Sequence, residues 1–415
     1  MNYFNYKNGN LFCEDVSVEE LAKKHGTPLY IYSKNFFVEQ YNTLCSVLNE
    51  LDYMICFATK SNSNLAVIKT FAELGSGFDI VTAGELFRIV KADGDTTKVV
   101  FSGVGKTVEE IKYAIEQNIL FFNVESEVEL QRINEIAGEL NKKTRFCVRV
   151  NPDVDPKTHK YITTGKSENK FGLDFEAAKI LYKHAENYDN VKAVGVQMHI
   201  GSQITTTEPF VAAIKKLSKL IDELREQGVN VQYVDIGGGL GIIYKDETPP
   251  IPEEFAAAVI PELKNFKAKI IFEPGRFLVG NGGIMVTEVQ YIKKTAMKEF
   301  VIVDAGMNDL LRPSLYEAYH EIISVKESSN KKKADVVGPI CESSDFFGRE
   351  RELPEEIKSG DFIALKSCGA YGFVMASNYN TRPRGAEIMV DGSEVTIARK
   401  RETLEQLIEN EIFQS

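Results

Sequence analysis

Between about residue 50 and residue 280, short apolar runs alternate with longer stretches in which apolar residues recur every three or four positions. The runs lie at 53–58, 78–81, 98–101, 120–124, 145–150, 193–200, 232–236 and 269–272. Most are rich in Val, Ile, Phe or Tyr, as strands buried on both faces of a parallel sheet are. The intervening stretches, such as 108–117, 125–140 and 210–227, carry the helical period. Strand alternating with helix predicts a parallel sheet, and eight units in roughly 230 residues predict closure into a (β/α)8 TIM-type barrel. A doubly wound open sheet is the alternative, and eight units favour closure.

Beyond about residue 280 the pattern changes. Long helical stretches give way, until the C-terminus, to β-rich runs at 284–292, 300–303, 333–337, 361–365, 387–390 and 394–398, with turn signals such as Asp391-Gly392 between some of them. These predict a second, mainly β domain, which strand-like runs at 4–6 and 29–31 are placed to join. The expected division is a barrel over 36–280 and a β domain over 1–35 and 281–415. The segment 151–170, after the fifth barrel strand, is long for a loop inside a compact domain. It reads either as a mobile segment over a site or as a tolerated surface insertion.

Composition narrows the function classes. A chain of 415 residues is long enough for two cores, and its 43% hydrophobic and 26% charged residues are those of a globular protein. A net charge of −11 argues against a nucleic-acid partner, because a phosphate-binding surface has to be basic. The start of the chain lacks a signal peptide's basic and apolar segments, and no apolar run approaches the roughly 20 residues that span a bilayer. The six cysteines are scattered without a CxxC pair, which suits the cytoplasm, and Cys56 and Cys147 fall in strand-like runs as plain core residues. The five histidines form no metal-ligand cluster, so no metal is expected.

In a barrel of this kind the chemistry belongs at the C-terminal ends of the strands. The first strand ends in Phe57-Ala58-Thr59-Lys60-Ser61-Asn62. A desolvated lysine there is a nucleophilic amine, able to form a Schiff base with an aldehyde; alternatively Lys60 is an exposed structural residue. The seventh strand runs into Asp235-Ile236-Gly237-Gly238-Gly239-Leu240-Gly241, where glycines let backbone N–H groups approach a phosphate or simply make a turn. The eighth ends in Glu273-Pro274-Gly275-Arg276; Glu273 either faces a pyridine nitrogen or pairs with Arg276. After the sixth comes His199-Ile200-Gly201-Ser202-Gln203, where His199 covers one face of a flat ring or is structural, and Ser202 can donate to phosphate. Asp79 orients His199 or caps a turn, and Arg149 points into the site or to a structural carboxylate. A lysine, a phosphate cradle, an acid and a stacking histidine on separate strand ends together point to a pyridoxal phosphate site.

These motifs resemble a known family. Phe57–Asn62 resembles the pyridoxal-lysine motif of the alanine-racemase-fold decarboxylases, with Phe57 and Ser61 as mild departures from the usual Tyr-Ala-x-Lys-Ala-Asn. The motifs at 199–203, 237–241 and 273–276 are similar to those of diaminopimelate decarboxylases. So are Arg312-Pro313-Ser314-Leu315-Tyr316, Gly338-Pro339-Ile340-Cys341-Glu342-Ser343-Ser344-Asp345, Gly369-Ala370-Tyr371-Gly372-Phe373 and the run from Met375 to Arg384. The long segment adds His159-Lys160-Tyr161-Ile162 and Lys170-Phe171-Gly172. The resemblance covers nearly the whole chain, with the motifs in order.

The resemblance implies a pyridoxal 5'-phosphate-dependent decarboxylase acting on a small amino-acid substrate. Lys60 would hold the cofactor covalently, His199 would stack on it and Glu273 would face its ring nitrogen. Ser202, Gly237, Gly238, Gly239, Arg276 and Tyr371 would surround the phosphate or the adjoining substrate pocket. Arg312 and Tyr316, with Arg276, would hold the substrate's distal carboxylate, and Glu342 would accept from its distal ammonium. Cys341 would return a proton to the α-carbon, unless it is merely a buried core cysteine. Cys341 and Glu342 would come from the partner subunit of a head-to-tail homodimer. Two arginines suit meso-diaminopimelate, which has a second carboxylate, over ornithine or arginine, which have none. A non-catalytic binding relative and a racemase are the remaining alternatives; retention of Lys60 and Cys341 argues against the first, the Cys-Glu segment and the paired arginines against the second.

Overall fold

The structure, a computed structural model, describes residues 3–155 and 170–412. The chain divides into two compact units, one of residues 40–242 and 248–278, the other of 1–39, 243–247 and 279–415.

In the first unit, among the described residues, eight parallel strands pair in sequence order and close into a barrel: Tyr53–Ala58, Gly77–Ile80, Val99–Phe101, Phe121–Val124, Thr144–Val150, Val191–Met198, Tyr233–Asp235 and Lys269–Phe272. Closure comes from the last strand pairing with the first, Ile270 opposite Tyr53. The strands are short because each crosses a barrel packed with side chains: Cys56, Val100, Phe121, Cys147, Val194 and Ile271 form one buried cluster, so Cys56 and Cys147 are core residues as expected. Gly195 sits at a register shift in the sixth strand, where a Cβ would lie 2.1 Å from the Tyr233 carbonyl.

The outer helices bury the stripe their spacing predicts. In Glu208–Glu226 the buried side chains are Pro209 in the first turn and then Phe210, Ala213, Ile214, Leu217, Leu220, Ile221 and Leu224, a stripe at spacings of three and four. Side-chain caps start several of them, from Asn64, Thr82, Thr107, Ser126 and Asp174. The sixth and seventh strands end at Met198 and Asp235, earlier than the apolar runs, because the residues that follow turn out of the ladder. Most of the long segment, including His159-Lys160-Tyr161-Ile162, lies outside the described residues.

The second unit is mainly β. A three-stranded antiparallel sheet is built from Phe4–Lys7, Asn10–Cys13 and Val16–Ser17. In a larger sheet Leu29–Ser33 lies between Gly283–Lys294, to which it runs antiparallel, and Ala386–Asp391, to which it runs parallel. The N-terminal residues therefore complete a sheet whose other strands come from the end of the chain. Four strands escaped the sequence reading, Asn10–Cys13 and Val16–Ser17 near the start of the chain and two later ones. Phe346–Pro354 carries Arg349, Glu350, Arg351 and Glu352 and pairs with Lys331–Val337; a strand so charged shows no apolar alternation. Ile322–Ser324 is too short for any period and is held by Phe362–Leu365. No helix of the described residues is long and apolar enough to cross a membrane.

Candidate active site

The barrel residues singled out in the sequence sit at or just beyond the C-terminal ends of its strands. Lys60 lies in a single 3-10 turn, Thr59–Ser61, that opens directly off the first strand. Its ammonium is 2.7 Å from Asp79 Oδ2. The register explains the pair: Ala58 is opposite Asp79 across neighbouring parallel strands, so Lys60, two residues on, reaches back to it. Asp79 is wholly buried. This contact corrects the reading of Asp79 as an orienter of His199 or a turn cap.

His199 follows the sixth strand directly. Its Nδ1 accepts the Gly238 N–H at 3.2 Å. Burial, and then the charges of Lys60 and Arg149, hold its pKa well below the usual histidine range. The ring is therefore neutral, with its proton on Nε2.

Glu273, just past the eighth strand, is 5% exposed. Its backbone N–H donates to the Gly237 carbonyl, its Oε2 accepts from Gln197 Nε2 at 3.3 Å, and its carboxyl shares a side-chain hydrogen bond with that of Asp235. Burial raises its pKa well above the carboxylate range, and repulsion from Asp235 and Asp79 adds to the shift. Asp235 is raised too, again by burial first, and its Oδ1 accepts the Gly237 N–H at 2.9 Å. Arg276 Nη2 donates to Ser202 Oγ at 3.1 Å.

The glycine triplet is demanded by packing between strand ends. A Cβ would lie 2.6 Å from the Met198 carbonyl at Gly237, 2.1 Å from the Glu273 carbonyl at Gly238 and 2.6 Å from the Gly201 carbonyl at Gly239. Gly237 and Gly239 also adopt φ of +72° and +113°. The expected phosphate cradle of successive N–H groups needs one correction: those of Gly237 and Gly238 already donate to Asp235 and His199. Arg149 resolves to a structural partner, Glu125 Oε1 at 3.1 Å, and Glu125 Oε2 also accepts the Gly172 N–H.

The remaining sequence-predicted residues belong to the β unit. Arg312, buried, opens a short helix, Arg312–Tyr316, and its Nη1 lies 2.8 Å from His320 Nε2. Tyr316 ends that helix, partly buried. Ser314 Oγ donates to the Ser344 carbonyl, tying the helix to the loop that carries Cys341 and Glu342. Cys341 is exposed, which excludes the core-cysteine alternative; its N–H donates to Asn380 Oδ1 at 3.1 Å. Glu342 accepts from Ser344 Oγ and Tyr379 Oη, and these bonds hold its carboxyl below the usual range. Tyr371, partly buried, has φ of +55°.

Sequence reading missed Gln197, Asp235 and His320. A polar residue inside an apolar strand was the available signal for the first two.

The barrel residues fit pyridoxal phosphate. A buried carboxyl braced by Gln197 suits a ring N–H, a neutral imidazole suits a ring face, and the glycine turn admits a ligand close to the backbone. Among the described residues no cluster of metal-ligand side chains occurs.

The family model described as the pyridoxal-binding domain of pyridoxal-dependent decarboxylases matches residues 36–280. Diaminopimelate decarboxylase of Vibrio cholerae is 48% identical over 410 residues, 98% of each chain. The structure of diaminopimelate decarboxylase from M. jannaschii in complex with L-lysine matches with a TM-score of 0.95 at 40% identity, covering 100% of this chain and 98% of that one. The enzyme from Helicobacter pylori complexed with L-lysine matches with a TM-score of 0.91 at 42% identity, over 94% and 98%. Similarity of this degree runs through both units and not the barrel alone, and the chain therefore belongs to the diaminopimelate decarboxylase family of pyridoxal-dependent decarboxylases.

Proposed function

We propose that this protein is a pyridoxal-phosphate-dependent carboxy-lyase that removes the carboxylate at the D-centre of meso-2,6-diaminopimelate, giving L-lysine and carbon dioxide. The observation that carries the reading is 48% identity to a diaminopimelate decarboxylase across 98% of both chains. The L-lysine bound in two matching structures is the product this reaction predicts.

Pyridoxal phosphate, when bound, supplies an aldehyde that captures amines and a protonated ring that accepts the electrons released with carbon dioxide. Lys60 is the amine that holds it, with Asp79 orienting that amine between turnovers. Glu273 takes the ring N–H on its carboxyl, while Gln197 fixes its Oε2. His199, neutral, covers a ring face without placing a second cation beside it. Ser202, Gly237, Gly238, Gly239, Arg276 and Tyr371 surround the phosphate; the N–H groups of Gly237 and Gly238 brace the turn while its shape admits the ligand.

Arg312 and Tyr316 bind the distal carboxylate, with Arg276, and Glu342 accepts from the distal ammonium. The Cys341 thiol returns the proton to the α-carbon. Cys341 and Glu342 act from the partner subunit of a homodimer, consistent with their exposure on this chain. We assign the cofactor-binding domain to 36–280 and the location to the cytoplasm, where the six free cysteines stay reduced.

The test is to supply the purified protein with pyridoxal phosphate and offer meso-diaminopimelate, L-ornithine and L-arginine separately, following amine product and carbon dioxide. Lysine from diaminopimelate alone is expected. Turnover mainly of ornithine or arginine would overturn the roles of Arg276, Arg312 and Glu342. Borohydride reduction should fix the cofactor to Lys60 by mass spectrometry, and its attachment elsewhere would overturn the cofactor assignment.

A further inference from the structure

His320 is completely buried and lies four residues beyond the helix that opens with Arg312. Its two ring nitrogens have different neighbours: Nε2 is 2.8 Å from Arg312 Nη1, and Nδ1 is 2.8 Å from the Lys366 carbonyl and 3.7 Å from Cys368 Sγ, whose nearer acceptor is the Leu365 carbonyl at 3.3 Å. A guanidinium only donates and a carbonyl only accepts. The two neighbours together therefore demand one state of the ring, neutral, with the proton on Nδ1 and the lone pair on Nε2 facing Arg312.

The far side of this contact is rigid. The Lys366 N–H donates to the Glu321 carbonyl at 2.9 Å, and the adjoining strands are in register with Ile322 opposite Leu365. The Lys366 carbonyl is thus fixed at the end of an antiparallel ladder. On the Arg312 side, the Tyr244 ring lies 4.5 Å from the guanidinium carbon and meets the His320 ring edge-on at 5.4 Å and 77°. One N–H bond and one aromatic face together set the plane of the guanidinium. Plane and roll are what a bidentate carboxylate contact requires of arginine.

We propose that His320 is a positioning residue for substrate specificity: through Nε2 it holds the Arg312 guanidinium in the orientation that receives a distal carboxylate. The proposal rests on the assignment of Arg312 to that carboxylate. His320 itself touches no reacting atom, so its effect falls on binding of diaminopimelate and not on the chemical step.

Two isosteric replacements separate this role from a merely structural one. In His320→Gln the side-chain oxygen reaches the place of Nε2 and keeps an acceptor for Arg312. In His320→Asn the amide stays near Nδ1, keeping the donor to Lys366 and losing the acceptor. Steady-state kinetics on meso-diaminopimelate, with thermal unfolding of the holoenzyme alongside, should show His320→Asn raising KM about tenfold or more with kcat within about threefold. His320→Gln should return KM to within about threefold of the parent. In an Arg312→Ala background His320→Asn should add nothing further to KM. Equal KM changes in the Gln and Asn variants, a change confined to kcat, or loss of folding in both would overturn the proposal and make His320 a core residue. If Arg312→Ala itself leaves KM unchanged, the clamp assignment fails; if it raises KM and His320→Asn does not, only the positioning role fails.

Discussion

The Lys60 ammonium lies 2.7 Å from the Asp79 carboxylate, and the two ends of this pair differ in access to water: the Asp79 side chain is wholly buried, whereas that of Lys60 is 36% exposed. The pair therefore holds the lysine in place without enclosing it, leaving the amine reachable from the strand-end side.

That asymmetry sets the cost of breaking it. Asp79→Asn keeps the volume and removes the charge, and Lys60 can turn to water. Chemical denaturation of the cofactor-free protein should show a loss of about 1–2 kcal/mol, less than for a pair buried at both ends. An unchanged midpoint would mean the contact contributes no net stability.

Glu273 makes the opposite kind of prediction, because its pKa is raised in the folded protein. A raised carboxyl contributes stability that is fully present below its unfolded pKa of about 4.3 and is lost as pH rises towards the folded value. Glu273→Gln removes that penalty. The cofactor-free variant should unfold at a higher temperature than the parent near pH 8, with the difference shrinking towards pH 4.5, while turnover of the loaded enzyme falls. A difference in unfolding temperature that stays flat with pH would contradict the raised carboxyl.

Arg149 and Glu125 are buried at both ends, with side chains 8% and 3% exposed. Glu125→Ala strands the guanidinium and removes the acceptor of the Gly172 N–H, at a cost of about 3–5 kcal/mol. Adding Arg149→Met should recover part of that loss. Recovery, read from denaturation midpoints, separates a stranded charge from a simple cavity; no recovery would favour the cavity.

Cysteine chemistry distinguishes Cys341 from the core thiols. Burial pushes the thiols of Cys13, Cys56 and Cys147 well up, and that of Cys368 to about 12, whereas Cys341 is exposed. Iodoacetamide under native conditions should label Cys341 and spare these four. The labelled protein, like Cys341→Ala, should retain cofactor affinity and lose turnover. Labelling that leaves turnover intact would remove Cys341 from the reaction.

The amino-acid sequence by itself determined the barrel, because burial on both faces of a strand and on one stripe of a helix is written locally, residue by residue. It also placed Lys60, His199, Glu273 and the glycine triplet at strand ends, since the ends of apolar runs can be counted. Only the tertiary structure decided their partners. Lys60 meets Asp79 across 19 residues and Glu273 meets Gln197 across 76, and both contacts depend on strand register, which no local pattern encodes. The same holds for charge: the neutral state of His199 and the raised carboxyl of Glu273 arise from what encloses them. Desolvation is a property of the packed site, and for that reason it could not be read from either residue's neighbours in the chain.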